Sequence, residues 1–129
     1  MKEELQKPVL KTEEQTETTV IFRPVAQNTV IRPMAEAVCI AHGGETVPYM
    51  DTADHKEKKV TLDNLRCLML QSSDGCGQRL DAYQVALKAR HSSVRVCVEA
   101  NDVQVLVSKK TTLEQAMTAF YQGISKQYE

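Results

Sequence analysis

The chain has 129 residues, of which 42% are hydrophobic and 26% are charged, so it is long enough for one domain with a real core. Its formal net charge of -1 argues against a broad nucleic-acid surface or an acidic-membrane surface, because neither would gain much from counterion release. No apolar run approaches the roughly 20 residues that a membrane-spanning helix needs, so we expect no nucleic-acid partner and no membrane partner.

The first residues and the cysteines indicate a cytoplasmic protein. Residues Met1–Glu4 read MKEE and lack the apolar core of a signal peptide. The cysteines contain no close CxxC pair, so we expect free thiols, which are the default in a cytosolic chain of this size. The four cysteines are Cys39, Cys67, Cys76 and Cys97.

The composition divides the chain into a tail and one domain. Residues 1–18 carry many charges and almost no large apolar side chains. Such a segment cannot bury enough surface to offset the entropy that it would lose on ordering. We therefore predict a flexible acidic and polar tail over 1–18 and a single α+β domain over 19–129.

The domain begins with a pattern typical of a strand followed by a helix. Thr19–Val25 is rich in β-forming residues and ends near Pro24, which removes a ladder donor. Pro33 suits the first turn of a helix, and Gly43-Gly44 supplies the left-handed residues that end one. The apolar residues between them recur at helical spacing, and they are Met34, Ala37, Val38 and Ala41.

Short elements are expected next. We predict a short strand at Thr46–Met50, and Pro48 confines it to the edge of a sheet. A charged loop is expected at Asp51–Lys59, followed by a brief strand at Val60–Leu62.

Two helices are then predicted between residues 61 and 90. The first is capped by Thr61 or Asp63 and stops at Ser72–Gly77. Its apolar stripe consists of Leu62, Leu65, Leu68 and Met69. For Arg79–Arg90 helical spacing competes with strand alternation, so we favour a helix and leave a strand open.

The clearest pattern lies between Ser92 and Ile124, where a hairpin precedes a helix. Two runs of alternating valines flank Asn101-Asp102, and both of these residues tolerate the positive φ of a tight turn. A capping box at the start of the following helix is predicted from Thr111–Glu114. The valines are Val94, Val96, Val98, Val103, Val105 and Val107, and the helix stripe is Leu113, Ala116, Met117, Phe120 and Ile124. Together the elements predict an α+β fold, a largely antiparallel sheet with about three to four helices packed on one face.

The beginning of the domain resembles the opening of an HPr-type phosphocarrier. Thr19–Phe22, a loop through Asn28 and the helix start Val30–Val38 carry the resemblance. That family places His-x-Arg-Pro at the start of its first helix, and Arg32 and Pro33 match the last two positions. The resemblance implies an HPr-like two-layer sandwich.

The resemblance implies this fold without the family's phosphotransfer activity. The phosphorylated histidine falls on Val30, which has no nucleophilic atom, and the regulatory serine falls near Asn64. Arg32 remains a candidate for binding an anion at the helix amino terminus, together with Asn28 and Thr29.

The remaining reactive side chains do not complete a site. Cys39 and His42 share a helix face and would supply half of a zinc site, but no second pair has ligand spacing, so we expect no metal. Cys76 would need a base to act as a nucleophile, and Asp51–His55 lacks a third catalytic element. We therefore expect no catalytic residues and no cofactor.

By exclusion, the sequence favours a non-enzymatic cytoplasmic regulatory protein that acts by binding another protein. A homo-oligomer is compatible with this interpretation. The alternative is a regulator of HPr-like shape that binds an anion or small molecule through Arg32. A weaker third reading is a small enzyme that uses Cys76 or the Asp51–His55 loop.

Overall fold

The computed structural model of the chain describes residues 18–24, 30–66, 69–72 and 78–128. The predicted tail lies outside these ranges except for Thr18, which opens the first strand and donates its N–H to Ser93 O at 2.9 Å. The elements are β1 (Thr18–Phe22), α1 (Ile31–Ala41), β2 (Val47–Asp51), β3 (Lys56–Val60), a 3-10 turn (Leu62–Asn64), β4 (Met69–Ser72), β5 (Arg79–Asp81), α2 (Ala82–Lys88), β6 (Val94–Ala100), β7 (Val103–Val107) and α3 (Leu113–Lys126).

Seven strands form two sheets in the described part of the chain. The main sheet has the order β5-β4-β1-β6-β7, and β2 pairs with β3 in a separate two-stranded sheet. The β1–β6 pairing is parallel, whereas the other four pairings are antiparallel. The predicted α+β fold with a largely antiparallel sheet is thus confirmed, with one parallel pair at its centre.

Valine alternation determines which face of the main sheet is buried. Val20 lies opposite Val96, and Val96 lies opposite Val107, with all three fully buried. Branched side chains at every second position present one continuous apolar face, since successive residues of a strand point to opposite sides. Helix α1 packs on this face against β6.

Helix α1 is the centre of the domain. Every residue from Met34 to Ala41 is buried, because the helix contacts the main sheet, the β2–β3 hairpin, α2 and α3. The helix ends as predicted at two glycines, with φ of 77° at Gly43 and 93° at Gly44. Their N–H groups donate to the carbonyls of Ile40 and Cys39 at 3.1 and 2.8 Å, which satisfies two carbonyls at the helix end.

The carboxyl-terminal hairpin and helix are confirmed, with one correction. Asn101 and Asp102 have φ of 53° and 64°, as the predicted turn requires. The capping box is formed by Thr112 and Gln115 rather than by Thr111 and Glu114. Thr111 is unavailable as the cap because its hydroxyl oxygen accepts the N–H of Ser108 at 3.0 Å.

Between residues 51 and 72 the structure corrects two predictions, the extent of the charged loop Asp51–Lys59 and the helix after it. Lys56–Val60 is strand β3, so the charged loop is shorter than expected. The predicted helix is limited to the 3-10 turn, whose cap is Thr61, and the chain is extended again at Met69–Ser72. A short apolar run such as the one before Gln71 does not by itself distinguish a helix from a strand. Here pairing with β1 and burial of Leu70 favour the strand.

The favoured helix for residues 79–90 is confirmed only from Ala82, and the strand precedes it instead of replacing it. Arg79–Asp81 is strand β5 and Ala82–Lys88 is helix α2. Asp81 marks the change, because its carboxylate accepts the N–H of Tyr83 at 3.0 Å as an N-cap does.

Replacing Gly123 by alanine is expected to destabilise the domain by about 1–2 kcal/mol, although alanine favours a helix by about 1 kcal/mol. A Cβ atom at this position of α3 would lie 2.5 Å from Cγ1 of Val103, which is buried in β7. Urea unfolding measures the effect. Ser125→Ala, on the exposed side of the same helix, serves as the control and should be neutral or slightly stabilising. A stabilised Gly123→Ala protein would contradict the close packing of α3 on β7.

Candidate functional site

The predicted anion site is described only at Arg32, because Asn28 and Thr29 lie outside the described residues. Arg32 is in the first turn of α1 and its side chain is mostly buried. Its Nη1 donates to the hydroxyl of Tyr49 at 3.3 Å, and its Nη2 donates to the carbonyl of Asn64 at 2.6 Å. These contacts hold the guanidinium against β2 and the 3-10 turn.

Glu36 balances the charge of Arg32. It lies one turn along α1, is only 3% exposed, and places Oε2 at 3.4 Å from Nε of Arg32. The same oxygen accepts the backbone N–H of Arg66 at 2.6 Å. Arg32 and Glu36 therefore tie three segments together from inside the domain, which is a structural role. The i, i+4 spacing of the two residues was the sequence signal for this pair.

Val30 directly precedes α1 and is buried. It is the N-cap position of the helix, and no side-chain hydrogen bond caps the helix there. A valine side chain has no donor or acceptor, so Val30 itself contributes no reactive group at this helix start.

On the face of the main sheet turned away from α1, no described helix or strand is packed. We call this face the outer face, and its side chains are those of Thr19, Ile21, Arg23, Gln71, Arg95, Cys97, Glu99, Gln104 and Leu106. An apolar row crosses its centre, because Cys97 lies opposite both Ile21 on β1 and Leu106 on β7. Leu106 is 48% exposed.

Hydrogen-bonded polar rows flank this apolar row on both sides. On one side Arg23 donates to Glu99 at 2.8 Å and also contacts Gln71, while Gln104 donates to Glu99 at 2.9 Å. On the other side Arg95 donates to the hydroxyl of Thr19 at 3.3 Å. The rows link neighbouring strands and hold long side chains in defined positions.

The two described cysteines are free thiols with little tendency to ionise. Burial raises the pKa of Cys39 to about 11, with Glu36 and Glu45 adding to the shift. Burial and the nearby Glu99 also raise the pKa of Cys97. Both remain thiols near neutral pH, which is unfavourable for nucleophilic catalysis. Cys67 and Cys76 lie outside the described residues.

The predicted half zinc site is not completed within the described ranges. No group of three or more histidine, cysteine, aspartate or glutamate side chains there is placed to hold a metal ion. Cys39 is buried in α1, whereas the ring of His42 is directed at Thr111 O, 2.8 Å from Nε2.

The acidic residues of the β2–β3 turn are neutralised by Lys58. Its Nζ lies 2.7 Å from Asp51 and 3.0 Å from Asp54. The hydrogen bond from Lys58 lowers the pKa of Asp51, and pairing with both carboxylates raises the pKa of Lys58. His55 is exposed in the same turn, with φ of 58°. The ion pairs of Lys58 with Asp51 and Asp54 therefore have a structural role in stabilising the turn.

Comparison of the chain with protein-family models, with curated proteins and with solved structures finds no match in any of the three. No helix in the part of the chain that the structure describes combines the length and hydrophobicity needed to span a membrane.

Proposed function

We propose that the protein acts in the cytoplasm by binding another protein through the outer face of its main sheet. The observation that carries this proposal is the apolar row of Ile21, Cys97 and Leu106, which lies uncovered by any described element between two hydrogen-bonded polar rows. The free thiols of Cys39 and Cys97 suit a reducing compartment.

An apolar centre with a polar rim is the arrangement found in protein–protein interfaces. The centre gains free energy when a partner removes it from water, and the rim provides hydrogen bonds that fix orientation. In the present surface the rim side chains of Arg23, Glu99 and Gln104 are already bonded to each other. Ordering them on binding therefore costs little additional side-chain entropy.

The expected partner has an apolar side chain or surface that covers Leu106 and polar groups that meet the two rims. The rims carry both signs of charge, with Arg95 on one side and the Arg23–Glu99 pair on the other. Such a mixed rim favours a protein partner over a polyanion such as a nucleic acid. A polyanion would gain little binding free energy from an arginine whose charge is already paired with a glutamate.

Leu106→Glu is expected to reduce binding of the partner at least about tenfold, because a carboxylate would be desolvated in the apolar row. The measurement is affinity capture from the native host, followed by quantitative mass spectrometry. Met50→Glu is the matched control, since Met50 is 50% exposed on β2 and Leu106 is 48% exposed on β7. Circular dichroism verifies that both variants are folded.

The proposal predicts a protein that the wild type and Met50→Glu capture equally and that Leu106→Glu loses. Equal capture by all three proteins would contradict the assignment of the outer face. Analytical ultracentrifugation of the purified chain identifies the case in which the partner is a second copy, since self-association should then disappear in Leu106→Glu alone.

A further inference from the structure

We propose that a cleft at the ends of α1 and α2 binds a phosphate-class anion, a site distinct from the outer face. The cleft has a volume of about 570 Å³, within the range of small-molecule sites. Three chain segments form its walls: the residues after α1, the residues after α2, and the loop before α3. Arg90 and Lys109 supply its positive charges.

Arg90 is held in the cleft by a backbone contact. Its Nε donates to the carbonyl of Gly43 at 2.8 Å, which fixes the plane of the guanidinium. Gly43 permits this approach, because a Cβ atom there would lie only 3.0 Å from Cγ of Arg90. Within the described ranges no carboxylate pairs with Arg90, so its two terminal nitrogens retain donors for a ligand.

His42 connects the end of α1 to the loop that carries Lys109. Thr111 O can only accept a hydrogen bond, so Nε2 of His42 is the donor across their 2.8 Å separation. Nδ1 of the same ring faces Oε1 of Glu45 at 3.5 Å. The hydrogen bond of Nε2 thereby holds the loop before α3 against the end of α1.

The two cations of the cleft suit a small anion, against which the carboxyl-terminal ends of α1 and α2 act. Lys109 is exposed and forms no ion pair with any described residue, and Arg90 provides the second cation. Glu45 contributes one negative charge at the rim. A guanidinium matches two phosphate oxygens with its fork of donors, and an ammonium adds a mobile point charge.

The test is a titration of the ¹⁵N-labelled protein with inorganic phosphate, followed by NMR at constant ionic strength. We expect saturable shifts of the Gly43 and Gly44 amides. Lys109→Gln should weaken binding about fivefold through loss of one nearby charge, and Glu45→Gln should strengthen it. Lys126→Gln is the matched control, because it removes the same charge from the other end of α3.

An equal loss of affinity in Lys126→Gln and Lys109→Gln would overturn the proposal. A phosphoserine peptide, titrated in parallel with its unphosphorylated form, separates the two sources of the ligand. A phosphorylated protein is the source if the phosphoserine peptide binds more tightly than inorganic phosphate and the unphosphorylated peptide does not bind. Binding of inorganic phosphate without such a gain identifies a free anion, and failure of both probes overturns the site.

Discussion

Replacing Val96 by aspartate is expected to unfold the domain at 25 °C. Val96 is fully buried in β6, between Val20 on β1 and Val107 on β7. An unpaired carboxylate at this position costs several kcal/mol, which is comparable with the total stability of a domain, about 5–15 kcal/mol. Circular dichroism in the absence of denaturant measures the loss of structure.

Leu106→Asp provides the control for this experiment. Leu106 also lies on the main sheet, but its side chain is on the outer face, so the new carboxylate stays in water. We expect a change in the free energy of unfolding of about 1 kcal/mol or less. A Val96→Asp protein with a near-wild-type urea midpoint would show that the valine face is not the core.

Removal of Glu36 is expected to produce the second large effect. Glu36→Ala would leave the mostly buried guanidinium of Arg32 without its carboxylate and the N–H of Arg66 without its acceptor. Breaking a buried ion pair from one side costs about 3–5 kcal/mol. Urea unfolding at pH 7 measures this loss.

A double variant distinguishes a lost ion pair from a lost packing contact. Arg32→Met combined with Glu36→Met removes both charges and keeps apolar volume in the site, so it should be more stable than Glu36→Ala. If the effects of Arg32→Met and Glu36→Met simply add, the two charges are not energetically coupled. That result would contradict the structural role assigned to the pair.

The carboxyl-terminal part of the fold was predictable because its determinants are local. The alternating valines, the Asn101-Asp102 turn and the stripe of α3 each depend on residues that are close in sequence. The helix α1 was predictable for the same reason, since Pro33 and the Gly43-Gly44 pair mark its ends.

Strand β4 and the surroundings of Arg32 were not predictable because they depend on distant partners. The choice between helix and strand at Met69–Ser72 is made by pairing with β1. The contacts of Arg32 with Tyr49 and Asn64 join segments that are 17 and 32 residues away. The outer face was also missed, since the strand order that aligns Ile21, Cys97 and Leu106 includes a parallel pair that no local pattern indicates.

The parallel pairing of β1 with β6 makes completion of the sheet a late event during folding and synthesis. Thr19 and Arg95, which are paired in this ladder, are 76 residues apart. Closing a loop of this length must precede the contacts that compensate for its entropy, which slows folding. A nascent chain that has not yet reached β6 exposes one edge of β1, and an open strand edge is a template for aggregation. We therefore expect that protecting β1 until residues 94–100 are available reduces aggregation of this domain.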